Sequence, residues 1–422
     1  MDPPQNLSID YLDLLPDELL VEILLKTDDL KTLFKWCRTS KRINFICQDK
    51  FFWHRKYQKD FGETTLAEGG SWKDLYKQMS LVGINSPISA GGRSYGMIDK
   101  NGDLYMSGQK TTLGIELQMQ SPFYSKKLHL VKFPTKVSSR VLNISLSFHR
   151  STAAAVTADG KAYIWGNNLH DIYNLQDDNR LISTPKEIIL PNNKKAIKIK
   201  VGRSGYIILL DDYSVYLRIY VKNKIDFQGT LHLKAIDVFI GNNIYAIITQ
   251  NHKLHVGGDI YTSKSNNDNE LITLEFPKPI IQVVIGERFL GGKSIIVLST
   301  TGEVYTWRSD QHFSGSIFTT TYPILVRLPE PIVQISAGGK TFAALSKTGK
   351  LYMWGSNRHK KISGDNQNFT TIRQGGTLYA QHPIEISFGI PINFVSIGGE
   401  FTIAVSNDGM VNFWGTKGLT PE

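Results

Sequence analysis

Between residue 86 and residue 422 a short cassette recurs seven times: a β-rich run ending in Gly, a small-apolar run, a turn, and an aromatic strand closing near Trp-Gly. The cleanest copy is ISAGGKTFAALSKTGKLYMWG at 335–355, with near twins ISAGGRSYGMIDKNGDLYMSG at 88–108 and VSIGGEFTIAVSNDGMVNFWG at 395–415. Each unit of such a repeat needs neighbours to bury its faces, so the repetition sets the architecture before any single residue is read.

The units close at Gly108, Gly166, Ile219, Gly258, Arg308, Gly355 and Gly415. The intervals of roughly 39 to 60 residues suit propeller blades rather than helical solenoids. Inside a unit the periodicity is two: Leu351, Met353 and Gly355 alternate with Tyr352 and Trp354, as on a pleated strand. Hairpin signals precede the closing strand at Asn101-Gly102, Asp159-Gly160, Thr301-Gly302, Thr348-Gly349 and Asp408-Gly409. Gly91-Gly92, Gly338-Gly339 and Gly398-Gly399 end the preceding strand, where missing side chains let strands crowd an axis. Two units are degraded. The third, from Val201, lacks both Trp and the turn Gly, and the fourth puts His252 where others have Gly.

These residues resemble the repeats of the regulator-of-chromosome-condensation family, whose Gly-Gly, Leu-(Ser/Thr)-x-x-Gly-x-(Leu/Val)-Tyr-x-Trp-Gly-x-Asn pattern stands nearly intact at 337–357. It is recognisable at 148–168, 286–307 and 398–415. No Trp-Asp pair closes a unit, as a WD repeat requires, and kelch repeats order Gly, Tyr and Trp differently. The resemblance implies a seven-bladed β-propeller over residues 81–422. Spacing suggests that residues 79–85 supply the last blade's outer strand, with Leu81–Val82 pairing to it.

Residues 1–80 change period. Leu15, Leu19, Leu20, Ile23 and Leu24 fall on a helical face, with Pro16 at its first turn and Asp17 and Glu18 favouring its positive end. A second helix opens after Asp28-Asp29-Leu30 and ends near Ser40; a third runs over Ile43, Ile46 and Cys47, followed by Phe51, Phe52 and Trp53. The order Leu15-Pro16-x-Glu18-Leu19-Leu20, Ile23-Leu24, Asp29-Leu30, Cys37, Ser40-Lys41-Arg42-Ile43 and Trp53 resembles an F-box, departing from it at Lys26-Thr27. Trp72 to Tyr76 looks like the short helix that often follows one. The bland alternative is a helical cap burying these leucines against the propeller.

The expected fold is therefore mostly β: a seven-bladed propeller behind a small all-α, F-box-like module. No apolar run or leader suggests a membrane or secretion, so an intracellular protein of cytoplasm or nucleus is expected. Only Cys37 and Cys47 occur, and buried free thiols are the expectation. The net charge of +10 comes without a long basic run, and a Lys-, Asn- and Ile-rich composition accounts for it better than nucleic-acid binding does. No His-Glu-x-x-His, nucleophile elbow or phosphate loop is present, so no catalytic residue, metal ligand or cofactor site is assigned, and the chain is not read as an enzyme.

The resemblances imply a substrate-recognition adaptor of a cullin-RING ubiquitin ligase. Leu15, Pro16, Leu19, Leu20, Ile23, Leu24 and Leu30 would bind the Skp-type cullin adaptor, and the propeller an unknown target protein. Propellers carry variation in loops. The longest here are 109–132, 167–185, 309–323 and 357–382, the last holding Arg358, Lys360, Lys361, Arg373 and Tyr379 as a candidate cationic and aromatic patch. The founding family member suggests a rival reading as a guanine-nucleotide exchange factor; a non-ubiquitinating decoy is a third.

Overall fold

In this computed structural model the described residues are 15–27, 30–61, 71–73, 76, 87–99, 102–116, 124–134, 140–148, 151–168, 181–221, 224–241, 244–258, 271–287, 293–308, 323–362, 370–371 and 378–416. The chain divides into two compact units, Met1–Leu81 and Val82–Glu422.

The larger unit is a propeller of seven antiparallel sheets, each a blade. Among the described residues five have four strands, the sixth has five and the seventh has three. The innermost strands are Ile88–Ala90, Val141–Leu146, Ala196–Val201, Ala235–Ile240, Ile280–Glu287, Ile332–Gly338 and Ile392–Ile397, each packed on the next around the ring. The last meets the first: Ser396 Oγ accepts the Ala90 amide at 3.0 Å, and the Gly399 amide donates to Gly91 O at 2.8 Å. Residues 79–85, expected to complete the seventh blade, lie outside the described residues. Three of the long segments between cassettes contain or run into outer strands, at Tyr124–Leu130, Leu181–Ile188 and Leu378–Ile386.

One main-chain bond joins successive blades. The carbonyl of the turn residue accepts the first amide of the next inner strand: Gly102 from Val141 at 2.7 Å, Gly160 from Ala196 at 2.7 Å, Gly302 from Ile332 at 2.9 Å and Gly349 from Ile392 at 2.8 Å. The degraded units keep it, Tyr213 accepting from Ala235 at 2.8 Å and His252 from Ile280 at 3.2 Å. Both take the left-handed conformation that Gly adopts elsewhere, at φ 67° and 60°.

A second substitution in blade 3 has a local compensation. Gly166, Gly355 and Gly415 each lie opposite Thr152, Thr341 and Phe401, where a Cβ would strike main chain of that neighbouring strand. Blade 3 has Ile219 at the closing position, and the residue opposite it is Gly205. The glycine has changed strands, and the close approach is preserved. Ala153, Ala154, Ala155 and Trp165 are buried in the neighbouring blade, as the crowded sequence implies.

Four helices with full bounds are described in the smaller unit, α1 (Asp17–Lys26), α2 (Leu30–Trp36), α3 (Lys41–Gln48) and α4 (Lys50–Phe61), and residues 72, 73 and 76 are also helical. Phe51, Phe52 and Trp53, expected simply to follow the third helix, lie in the first turns of a 12-residue fourth helix. Its core is Leu20, Leu24, Leu33, Ile43, Ile46, Phe52, Trp53, Tyr57 and Tyr76. The Trp53 indole donates to Cys47 O at 2.7 Å. The cysteines are buried but not free. Cys37 and Cys47 form a disulfide, their Cα atoms 5.7 Å apart, because the turn between α2 and α3 folds both thiols inward.

Candidate partner-binding surfaces

Helix α1 begins after Pro16, with Asp17 and Glu18 in its first turn, and its two faces differ sharply. Leu20, Leu24 and Leu25 are buried in the module core. Pro16, Leu19 and Ile23 recur three and four residues apart on the opposite face, with Leu19 52% and Ile23 36% exposed. Leu15 is half-buried, and Leu30 begins α2. The seven residues expected to bind an adaptor therefore separate. Pro16, Leu19 and Ile23 are available, whereas Leu20 and Leu24 hold the helix in place.

The rest of the motif fixes that face. Ser40 caps α3, its Oγ accepting the Ile43 amide at 3.1 Å. From α3, Arg42 donates through Nη2 to Leu15 O at 2.6 Å and pairs through Nε with Asp17 at 2.6 Å. From α4, the buried Lys56 donates to Leu25 O at 2.7 Å and Thr27 O at 2.8 Å, and Lys59 reaches the same Leu25 carbonyl at 2.9 Å. These ammonium groups satisfy carbonyls that the end of α1 leaves open. Two further large apolar side chains face solvent, Phe45 at 79% and Phe51 at 63%.

On the propeller the expected patch is only partly assembled. Arg358 and Lys360 are exposed and Tyr379 is half-buried on the Leu378–Ile386 strand, while Arg373 lies outside the described residues. Lys361 is not on the surface. It is 3% exposed, and its ammonium donates to Gly338 O at 2.8 Å and Gly398 O at 3.3 Å. It also lies 5.8 Å from the Phe148 ring centre. Its own carbonyl accepts from Thr402 Oγ1 at 2.8 Å and from the Trp414 indole. Burial, then nearby Arg358, lowers the ammonium to about 7, with Glu400 opposing. Lys361 thus joins blades 6 and 7, a role that an Arg-His-Lys-Lys run does not reveal.

Arg93 and Glu400 pair at 2.5 Å across the closure of the ring, where Tyr124 accepts a second Arg93 bond at 2.6 Å. Those bonds raise the Arg93 pKa, the Tyr124 bond most. Among the described residues no three His, Cys, Asp or Glu side chains gather as a metal site.

Residues 12–59 match the F-box-like family, and residues 332–360 match the Regulator of chromosome condensation (RCC1) repeat. No curated protein matches the chain. Among solved structures it is similar to yeast RCC1 (Prp20) bound to Kap60, with 17% identity, a TM-score of 0.61, and coverage of 74% of this chain and 78% of that one. It is also similar to Prp20p of Saccharomyces cerevisiae in a second structure, at 15% identity and TM-score 0.58 over 76% and 83% of the two chains. Human WBSCR16 gives 15% identity and TM-score 0.55 over 76% and 88%. At these identities the likeness is one of fold. The chain carries an F-box-like domain at residues 12–59 and a seven-bladed β-propeller that includes an RCC1 repeat at 332–360.

Proposed function

We propose that this chain is a substrate-recognition adaptor of a cullin-RING ubiquitin ligase. The helical module binds a Skp-type adaptor, and the propeller binds the protein to be modified. The observation that carries the reading is the division of α1: Leu20, Leu24 and Leu25 complete the module core, while Leu19 and Ile23 stand in solvent beside Pro16. Large aliphatic side chains held out on a helix that other residues already anchor are suited to insertion between partner helices. The match of residues 12–59 to the F-box-like family supports the same partner.

Such an adaptor needs no chemistry of its own; it raises the effective concentration of a target near the ubiquitin-charged enzyme. That role places the chain inside the cell. An exchange-factor role gains nothing from a likeness of fold alone.

The test is co-purification of the full chain with a reconstituted Skp-type adaptor, cullin and RING protein. Co-elution as one complex supports the reading. Recovery of the chain alone, with the adaptor and cullin still associated with each other, contradicts it.

A further inference from the structure

The seven inner strands enclose a channel of about 550 Å3. One tier of polar side chains is spent on the wall itself. Asn143 Oδ1 accepts the Ile199 amide at 2.8 Å, and Lys198 pairs with Asp237 at 2.6 Å. Gln282 bonds both ways with the Ile335 main chain, at 2.9 and 3.1 Å, and Gln334 does so with Val395, at 2.9 and 3.2 Å.

The neighbouring tier is different. Ser89, Ser145, Lys200, Ser336 and Ser396 stand at the equivalent position of five inner strands, opposite Gly96, Ala154, Ile207, Ala343 and Ile403 of the second strands. Phe239 and Val284 occupy the other two blades. Each serine oxygen accepts one amide from the next blade: Ser89 from Leu146, Ser145 from Val201 and Ser336 from Ile397, each at 3.1 Å, and Ser396 from Ala90 at 3.0 Å. Among the described residues none of these four hydroxyls donates to an acceptor, and Lys200 makes no hydrogen bond or ion pair. All five line the channel. The tier's side chains therefore keep their proton donors, each serine oxygen has one lone pair engaged, and no carboxylate stands among them.

Lys200 also carries a cost. Burial, and then the charge of Lys198, lower its ammonium to about 8, while Asp237 works against them from blade 4. Asp237 is already engaged by Lys198, and Arg203, farther along the channel lining, adds positive charge. Lys200 is half-buried on the channel wall, and a partly desolvated cation without its own carboxylate is stabilised by an anion that enters beside it.

We propose that this tier binds a small phosphate-class oxyanion, held by Lys200 Nζ and by the hydroxyls of Ser145 and its equivalents. An oxyanion accepts at every oxygen, which is what a set of donors around one cation requires. The site depends only on the propeller and is separate from adaptor binding.

The experiment is a calorimetric titration of the full chain with inorganic phosphate at fixed ionic strength, repeated with acetate. Lys200→Met and Lys200→Arg variants are titrated beside it. Saturable phosphate binding is expected, weakened tenfold or more (~1.4 kcal/mol) in Lys200→Met and retained in Lys200→Arg. Acetate, which shares the acceptor chemistry with less charge, should bind more weakly. No saturable binding by the intact chain, equal affinity in a folded Lys200→Met variant, or tighter binding of acetate would each overturn the proposal. Should Lys200→Met fail to fold, lysine Nζ resonances of the intact chain decide. Phosphate must raise the lowered pKa of Lys200, its resonance assigned by its loss in Lys200→Arg, and an unmoved pKa counts against the site.

Discussion

Arg42 donates to the main-chain carbonyl of Leu15 at 2.6 Å, tying the Ser-Lys-Arg-Ile segment to the Leu-Pro start of α1. The same guanidinium pairs with Asp17, whose side chain is 65% exposed. The bond to the partly buried carbonyl outweighs the exposed ion pair. Arg42→Ala should therefore lower the opening free energy of α1 and α3 amides by about 1–2 kcal/mol in hydrogen exchange. Asp17→Asn should cost under about 0.5 kcal/mol. Equal losses would assign the stabilisation to the ion pair instead.

The turn glycines separate backbone strain from crowding. Gly409 sits at φ 87° with nothing within 4 Å of a built Cβ, whereas at Gly349, φ 88°, that Cβ would lie 2.5 Å from Pro391 Cβ. Gly409→Ala should cost about 1 kcal/mol, from the left-handed backbone alone. Gly349→Ala should cost a further 1–3 kcal/mol or so, because it also pushes blade 7 away. Denaturant unfolding of the full chain measures both, and equal losses would mean that the Gly349–Ile392 junction yields freely.

Lys361 and Lys200 give the propeller a defined pH response. Their folded pKa values, lowered to about 7 and about 8, lie below the ordinary 10.5, so between those limits the unfolded chain binds more protons. Stability then rises with pH from about 7 towards 10. Tyr163, raised chiefly by burial, and Tyr95, Tyr305 and Tyr352, also raised, act oppositely. The unfolded chain loses those protons first above 10, and stability falls there. A Tm series should peak near pH 9–10 or so, and Lys361→Met should flatten its lower limb. A Tm that falls steadily from pH 7 would contradict the placement of both lysines.

The propeller was legible because hairpin glycines and the period-two aromatic strands repeat in fixed register. Even the degraded units could be placed by position, since Ile219 occupies the closing register opposite Gly205. What could not be read was which substitutions the fold absorbs: Tyr213 and His252 keep a left-handed turn that sequence alone assigns to Gly. The candidate surfaces were legible only in part. Periodicity showed that α1 is amphipathic, but Leu19, Leu20, Ile23 and Leu24 are chemically alike, and only packing decides which pair is core. Lys361 reads as surface charge until three-dimensional neighbours bury it. The Cys37–Cys47 pairing depends on a helix–helix turn that spacing does not specify.

The central claim is that α1 presents Leu19 and Ile23 to a Skp-type adaptor. Its most direct test is the affinity of the purified adaptor for the full chain and for a Leu19→Ala, Ile23→Ala double variant. Both side chains are exposed, so circular dichroism and Tm should be unchanged. The account predicts a loss of about a hundredfold or more, as expected when two anchor side chains are removed. Unchanged affinity in the double variant, or no binding by the intact chain, would contradict it.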